Sequence, residues 1–363
     1  VPKSAKCLLI GSLEAYSGKS AIILGIAHQL KAKGLDIAYG KPLGGGWGQT
    51  QMADSDGDIQ FVAQTLDLPD DRLQQSILTL DAETVKNRLS LQDQTDYHQK
   101  LVEQVQHQGG DLVILEGPGT LDEGKLFNLS LLEVAETIQA SVLLVARFHS
   151  MLLLDGLLAA KEKLGNQLLG VLINDVPSQQ VETVHSLMVP FLEKQGVAVF
   201  GVLPSSNLLR SVSVAELVYQ LKADVLCRSD RLDLMVESLS IGAMNVNSAL
   251  KYFRARHNMA VITGGDRTDL QLAALETSTQ CLILTGHIPP SKEIISRAED
   301  LEIPILSVDL DTLTTVEIVD RAFGQVRVSE PIKFECICQM TDKHFDGDRL
   351  LTSLGLEPAG ALS

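Results

Sequence analysis

Aromatic residues are scarce in this chain. Trp, Tyr and Phe make up 4% of 363 residues, and Trp47 is the single tryptophan. Its cores are therefore expected to be aliphatic. Long apolar runs are missing too: none reaches the roughly 20 residues of a membrane-spanning helix, so no membrane partner is expected. No leader is expected either, because Val1-Pro2-Lys3-Ser4-Ala5-Lys6 runs straight into an apolar strand. Cys-x-x-Cys pairs are absent. The five cysteines (Cys7, Cys227, Cys281, Cys336 and Cys338) are scattered, which fits reduced, buried thiols and a cytoplasmic location. Cys336-Ile337-Cys338 reads as a strand near the C-terminus, with both thiols on one face. An excess of basic charge is also lacking. The formal net charge is −16, which excludes nucleic acid as the main partner and disfavours anionic membranes. A local basic pocket for a nucleotide remains compatible with it.

What the chain does have is 45% hydrophobic residues, and its length allows two or three domains. Its most informative stretch is Gly11-Ser12-Leu13-Glu14-Ala15-Tyr16-Ser17-Gly18-Lys19-Ser20. The apolar run Cys7 to Ile10 precedes it. Ala21 to Lys33 follows, with Ile22, Ile23, Ile26, Ala27 and Leu30 at helical spacing. Strand, glycine-bearing loop and helix together make a phosphate cradle. Backbone N–H groups and the helix dipole at the helix start favour an anion there. Lys19 is expected to pair with β/γ-phosphates, and Ser20 to sit on Mg²⁺. The standard spacing would place a glycine five residues before Gly18. Leu13 stands there, and Gly11 makes the loop longer. An ordinary strand–turn–helix with an exposed lysine is the structural alternative.

Strand-like and helix-like segments alternate up to about residue 205. The strands read as Ile37 to Tyr39, Leu112 to Leu115, Ser141 to Ala146, Leu168 to Ile173 and Val197 to Val202. The helices read as Asp58 to Leu66, Gln94 to Gln108, Met151 to Leu164 and Gln180 to Gln195. Such alternation predicts a parallel sheet covered on both faces. Ligands of such sheets bind beyond the C-terminal strand ends. Lys41, Glu116, Arg147, Asn174 and Pro204 follow strands and should gather there. Lys41 is a candidate for phosphate or substrate, Glu116 for the metal, and Arg147 for bidentate phosphate contact. Asn174 either reads an adenine edge or satisfies turn backbone. Gly44-Gly45-Gly46-Trp47-Gly48 suits a lid or a close backbone approach. His149 reads as a loop residue.

A second α/β unit has strands at Met259 to Thr263, Cys281 to Leu284 and Ile305 to Val308. Helices read as Asp269 to Leu275, Ser291 to Leu301 and Thr315 to Phe323. At the turn Gly264-Gly265-Asp266-Arg267-Thr268, Asp266 or Thr268 can cap the helix and Arg267 can pair with Asp269. The alternative is an effector site using Gly265, Asp266, Arg267 and Thr268 with the helix N-terminus. Thr285-Gly286-His287 is placed to lie alongside. The expected division is 1–210, 211–330 and a C-terminal extension, 331–363, read as extended and tail-like.

The first domain resembles dethiobiotin synthetase and related P-loop ligases. Their loop, Gly-Thr-Asp-Thr-x-Val-Gly-Lys-Thr, aligns on Gly18-Lys19-Ser20 with its first glycine at Ser12. Gly40-Lys41-Pro42-Leu43 is similar to Tyr-Lys-Pro-Val, whose lysine contacts substrate. Leu115-Glu116-Gly117-Pro118-Gly119 is similar to Val-Glu-Gly-Ala-Gly, whose glutamate binds Mg²⁺. Ile173-Asn174-Asp175 resembles the family's adenine-side Asn-Asp, and Gly201-Val202-Leu203-Pro204 its Gly-x-Ile-Pro. Asp54, Asp56 or Asp58 would supply a second metal carboxylate, and Asp56 is the central member of that cluster.

Residues 263–269 resemble the Thr-Pro-Gly-Asp-Arg-Ser-Asp segment of the DRTGG domain in long bacterial phosphate acetyltransferases. Those proteins place a dethiobiotin-synthetase-like domain first, a DRTGG domain second and the transferase last. The resemblance spans roughly residues 5 to 330, as in stand-alone phosphotransacetylase-family proteins of cyanobacteria and archaea. It implies an α/β P-loop domain followed by a smaller α/β DRTGG domain. The implied function is a regulatory ATP–Mg²⁺ sensor of central metabolism without acetyltransferase activity, compatible with slow hydrolysis. It also implies a homo-oligomer and leaves room for a protein partner. The alternatives are an ATP-dependent ligase acting on a small carboxylate or carbamate, and an assembly scaffold with vestigial sites. No catalytic residue is assigned.

Overall fold

The computed structural model describes residues 5–45, 55–106, 109–324 and 330–357. The chain divides into two compact units. One comprises Val1–Ser205 with Arg327–Ser363, and the other Ser206–Val326.

The first unit is built on β1 (Lys6–Ser12), β2 (Ile37–Gly40), β3 (Leu43–Gly45), β4 (Leu73–Gln74), β5 (Leu78–Leu80), β6 (Leu112–Glu116), β7 (Ser141–Arg147), β8 (Leu168–Val176) and β9 (Val199–Pro204). Seven of them form one sheet in the order β4-β2-β6-β1-β7-β8-β9, with parallel pairing throughout. β3 and β5 make a separate parallel pair. Leu8, Leu9 and Ile10 are all fully buried. A strand covered on both faces has this unbroken apolar run. Gly11 is required by packing: a Cβ there would overlap the Leu131 side chain.

β1 runs into the loop and then into helix α1 (Lys19–Ala32), which buries Ile22, Ile23, Leu24, Ile26, Ala27 and Leu30. The run 181–194 is helical as predicted, with a π-turn at Val184–Met188 just before Pro190. A proline has no N–H to continue an α-helical ladder.

The C-terminal segment corrects two expectations. Residues 331–354 are not extended: they form the helices Pro331–His344 and Gly347–Leu354. Cys336 and Cys338 therefore lie on no strand, and about 200° of helical rotation separates them. The buried residues Lys333, Ile337, Cys338 and Thr341 follow the helical period, which the short Cys-Ile-Cys alternation masked. Pro331 opens the helix, where its missing N–H costs nothing.

This helix lies on α1. A Cβ on Gly25 would overlap the Thr341 hydroxyl, and the His28 and Phe334 rings meet edge-on at 5.7 Å. The second helix is pinned near β9. Asp346 N donates to Phe200 O at 2.7 Å, and Arg349 contacts both Glu193 carboxylate oxygens at 2.7 and 3.0 Å.

The second unit contains β10 (Val212–Ser213), β11 (Asp224–Cys227), β12 (Met235–Val236), β13 (Ser238–Gly242), β14 (Met259–Gly264), β15 (Thr279–Thr285) and β16 (Ile305–Val308). Its main sheet has the order β11-β16-β15-β14-β13. β13 to β16 pair in parallel, and β11 is antiparallel at the edge. Met259 and Val261 enter one apolar cluster while Ala260 and Ile262 enter another. The strand's period of two thus feeds two cores, one on each face. The edge strands β11 and β13 lack the long unbroken apolar runs of the central strands: β11 has only Val225-Leu226-Cys227, and in β13 Leu239 and Ile241 alternate with serines.

Candidate functional site

The C-terminal ends of β1, β2, β6, β7 and β8 bring the predicted residues to one edge of the first sheet. The loop after β1 turns through Tyr16 (φ 56°) and Gly18 (φ 92°). At Gly18 the left-handed conformation comes with a close neighbour: a Cβ would lie 2.5 Å from Asn174 Nδ2. Gly18 is the N-cap position of α1, and no side chain caps it. The first-turn N–H groups therefore have no side-chain acceptor, the arrangement that suits an anion. The Ser17 hydroxyl inside the loop is buried and has no hydrogen-bond partner.

Lys19 is buried at 8% exposure, and its ammonium donates to Ser12 Oγ at 2.9 Å. Ser12 Oγ also lies 2.8 Å from Glu14 O and 2.9 Å from Gly119 O. One hydroxyl thus ties the loop, the lysine and the turn after β6 together. Burial pushes the Lys19 pKa below the ordinary lysine value, with Glu116 and Glu123 acting against that shift. The Ser20 hydroxyl donates to Glu116 Oε1 at 3.1 Å. Lys41 Nζ is 3.5 Å from the same oxygen, and the Tyr39 hydroxyl donates to Glu116 Oε2 at 3.1 Å. Glu116 is buried and pinned from both oxygens.

Arg147 donates through Nε to Asp175 Oδ2 at 3.0 Å, so its guanidinium is paired within the protein. Asn174 Nδ2 donates to Ser17 O at 2.9 Å, which places its amide on the loop backbone. His149 Nε2 and Glu14 Oε1 are 2.6 Å apart at the rim. Trp47 and Asp54 lie outside the described residues, as do the side chains of Asp56 and Asp58. Among the described residues no group of three or more His, Cys, Asp or Glu is placed to hold a metal.

Two residues were missed from sequence. Tyr39 reads only as part of a short apolar strand. Glu123, whose carboxylate accepts the Gly119 N–H, carries no motif at all.

In the second unit, β14 ends at the predicted turn. The helix that follows, Thr268–Leu275, has Arg267 at its N-cap and no side-chain cap, so neither Asp266 nor Thr268 caps it. Gln271 braces the turn from within the helix, donating to the carbonyls of Gly264 and Gly265 at 2.9 and 3.0 Å. Arg267 does meet Asp269, at 3.4 Å, and donates to Met244 O at 3.1 Å. Gly265 N donates to Thr285 O at 3.2 Å, so Thr285-Gly286 runs alongside.

Strand order, phosphate-loop geometry and the Lys19–Ser20–Glu116 cluster define a P-loop α/β protein. The sequence profile described as an AAA domain matches residues 6–213, more than half of the chain, and the chain belongs to that family. The DRTGG domain profile matches residues 216–322. The phosphate acetyltransferase of Synechocystis sp. is 25% identical over 370 aligned residues, covering 96% of this chain and 51% of that protein. The phosphate acetyltransferase of Nitratidesulfovibrio vulgaris is 24% identical over 367, covering 94% and 51%. The chain thus spans about half the length of these curated relatives. A solved structure of the CBS and DRTGG domains of the regulatory region of Clostridium perfringens pyrophosphatase, complexed with the activator diadenosine tetraphosphate, is 20% identical. It covers 40% of this chain and 70% of that one, with a TM-score of 0.29. No helix among the described residues is long and apolar enough to cross a membrane.

Proposed function

We propose that the first unit binds ATP with Mg²⁺ and that the chain works as a nucleotide-responsive regulatory protein of central metabolism. The observation that carries this is the juxtaposition of Lys19, Ser20 and Glu116 at the start of α1. Lys19 would neutralise the β/γ-phosphates, and the loop N–H groups would cradle them. The residues present also fit a magnesium ion, which uses few protein oxygens and keeps several waters. The Ser20 hydroxyl and the Glu116 carboxylate, 3.1 Å apart, would supply those oxygens, with phosphate oxygens beside them. The ion would neutralise phosphate charge, and slow hydrolysis is compatible with the site.

The DRTGG match over residues 216–322 supports a regulatory second unit, and the turn Gly265–Thr268 is its candidate effector contact. Self-association belongs to the same proposal and is checked by sedimentation. Acetyl transfer does not, since that activity is named for proteins about twice the length matched.

Calorimetric titration of ATP with Mg²⁺ tests the proposal. Micromolar binding abolished by Lys19→Ala supports it. Absence of binding to the unaltered protein overturns it and leaves the scaffold alternative. A second reading, an ATP-dependent ligase, is favoured by Lys41, which stands 3.5 Å from Glu116 where an anionic second substrate would meet the γ-phosphate. Release of ADP that requires an added amine and bicarbonate, or a small carboxylate, would select it over the sensor.

A further inference from the structure

We infer that Tyr39 is a positioning residue for Glu116: its hydroxyl holds one carboxylate oxygen, turns the other toward Ser20, and thereby favours Mg²⁺ over Ca²⁺ at the site. The inference rests on the nucleotide reading above. Glu116 ends β6, the strand that lies between β2 and β1. In β2, Tyr39 is in register with Ile114 and Gly40 with Leu115. In β1, Ile10 is in register with Glu116. The carboxylate is reached from both sides. From β2 the Tyr39 hydroxyl donates to Oε2 at 3.1 Å. From the start of α1 the Ser20 hydroxyl donates to Oε1, also at 3.1 Å. Lys41, two residues beyond Tyr39, stands 3.5 Å from that same Oε1. Tyr39 is 1% exposed and Glu116 5%, so little water competes for either oxygen.

A carboxylate is rigid and planar. A bond that fixes Oε2 also fixes the direction of Oε1, which here is toward the Ser20 oxygen. The hydroxyl of a buried tyrosine finds a partner, and here it finds the carboxylate on which the site depends. Phenylalanine would fill the same space without it. The two common divalent cations differ in what they ask of a carboxylate. Mg²⁺ is small, demands near-octahedral oxygens and keeps several waters, whereas Ca²⁺ is larger and accepts both oxygens of one carboxylate in a flexible shell. A glutamate with one oxygen engaged by the protein and the other beside a serine hydroxyl suits the smaller ion. Without the phenol, Oε2 is released and both oxygens can turn toward the phosphate loop, which helps the larger ion more.

The experiment titrates ATP into the full chain and into Tyr39→Phe, in Mg²⁺, in Ca²⁺ and in EDTA. Tyr39→Phe keeps the ring and removes the donor, and melting curves confirm folding. ATP affinity with Mg²⁺ is expected to fall about three- to tenfold, the worth of one net hydrogen bond. It should fall less with Ca²⁺ and stay the same in EDTA, so the preference for Mg²⁺ narrows. An equal loss in all three media would make Tyr39 a purely structural brace and overturn the inference. An unchanged Mg²⁺-to-Ca²⁺ affinity ratio would overturn it too. If the variant does not fold, the unaltered chain still tests the selectivity: ATP must bind more tightly with Mg²⁺ than with Ca²⁺, and equal or tighter binding with Ca²⁺ overturns the inference. If the unaltered chain binds no ATP, or binds it as tightly in EDTA as with Mg²⁺, the nucleotide and metal reading itself fails, and this inference with it.

Discussion

The Ser20 hydroxyl lies 3.1 Å from Glu116 Oε1, although 96 residues separate the two in the chain. β1 and β6 are adjacent parallel strands, with Ile10 in register with Glu116. The phosphate loop and the acidic strand end are thereby set side by side. Glu116→Gln keeps the shape and removes the charge. ATP affinity measured with Mg²⁺ is expected to fall roughly tenfold or more, as for loss of a charge-assisted contact. Affinity measured in EDTA should change little. Equal losses in both conditions would argue against a metal-linked carboxylate.

Lys19 must be protonated to pair with phosphate, and burial lowers its pKa. Nucleotide affinity should therefore decline on the alkaline side before an ordinary lysine, near about 10.4, would begin to titrate. The direction follows directly: the charged form binds, and rising pH removes it. Lys19→Arg, which stays charged, should flatten that decline. A calorimetric pH series compares the two.

Gly25 of α1 faces Thr341 of the helix Pro331–His344, with no room for a Cβ. Gly25→Ala gains about 1 kcal/mol of helix propensity but meets overpacking of about 1–3 kcal/mol. A net loss of stability is expected in urea unfolding. In a Thr341→Ala background the same change should become neutral or stabilising. A double-mutant cycle that shows additivity would contradict this packing.

Hydrogen bonding to Arg349 holds the Glu193 carboxyl below the ordinary glutamate range. A carboxylate with a depressed folded pKa adds stability above its unfolded pKa, about 4.3. That contribution is lost as pH falls through the folded value. Both groups are partly exposed, so the effect is small. Proteolytic cleavage around residues 345–357 should rise as pH drops below about 4. Arg349→Ala should raise cleavage at pH 7 and blunt that dependence.

The thiols should differ in reactivity. Burial pushes the Cys281 pKa up to about 12 and that of Cys338 to about 11. Cys336 is half-buried on another side of its helix. Alkylation of the native protein, followed by mass spectrometry, should label Cys336 before Cys338 and Cys281. A low-pKa redox pair would reverse that order.

The β1–loop–α1 unit was legible in the sequence because its determinants are local. An apolar run, a glycine able to take a left-handed φ and a Lys-Ser pair at a helix start lie within fifteen residues. Lys41, Glu116 and Asn174 were recognised as strand-end residues because parallel strands declare themselves by unbroken apolar runs. Their partners were not legible. The choice of Tyr39 and Lys41 for Glu116, and of the Ser17 carbonyl for Asn174, depends on the order β2-β6-β1-β7-β8, which joins strands distant in sequence. The C-terminal helices were misread for a related reason. The Cys336-Ile337-Cys338 alternation hides their helical period, and their burial comes from α1 and β9, more than a hundred residues away. Local spacing sets which elements can form, whereas long-range burial decides which faces meet and which polar groups find each other.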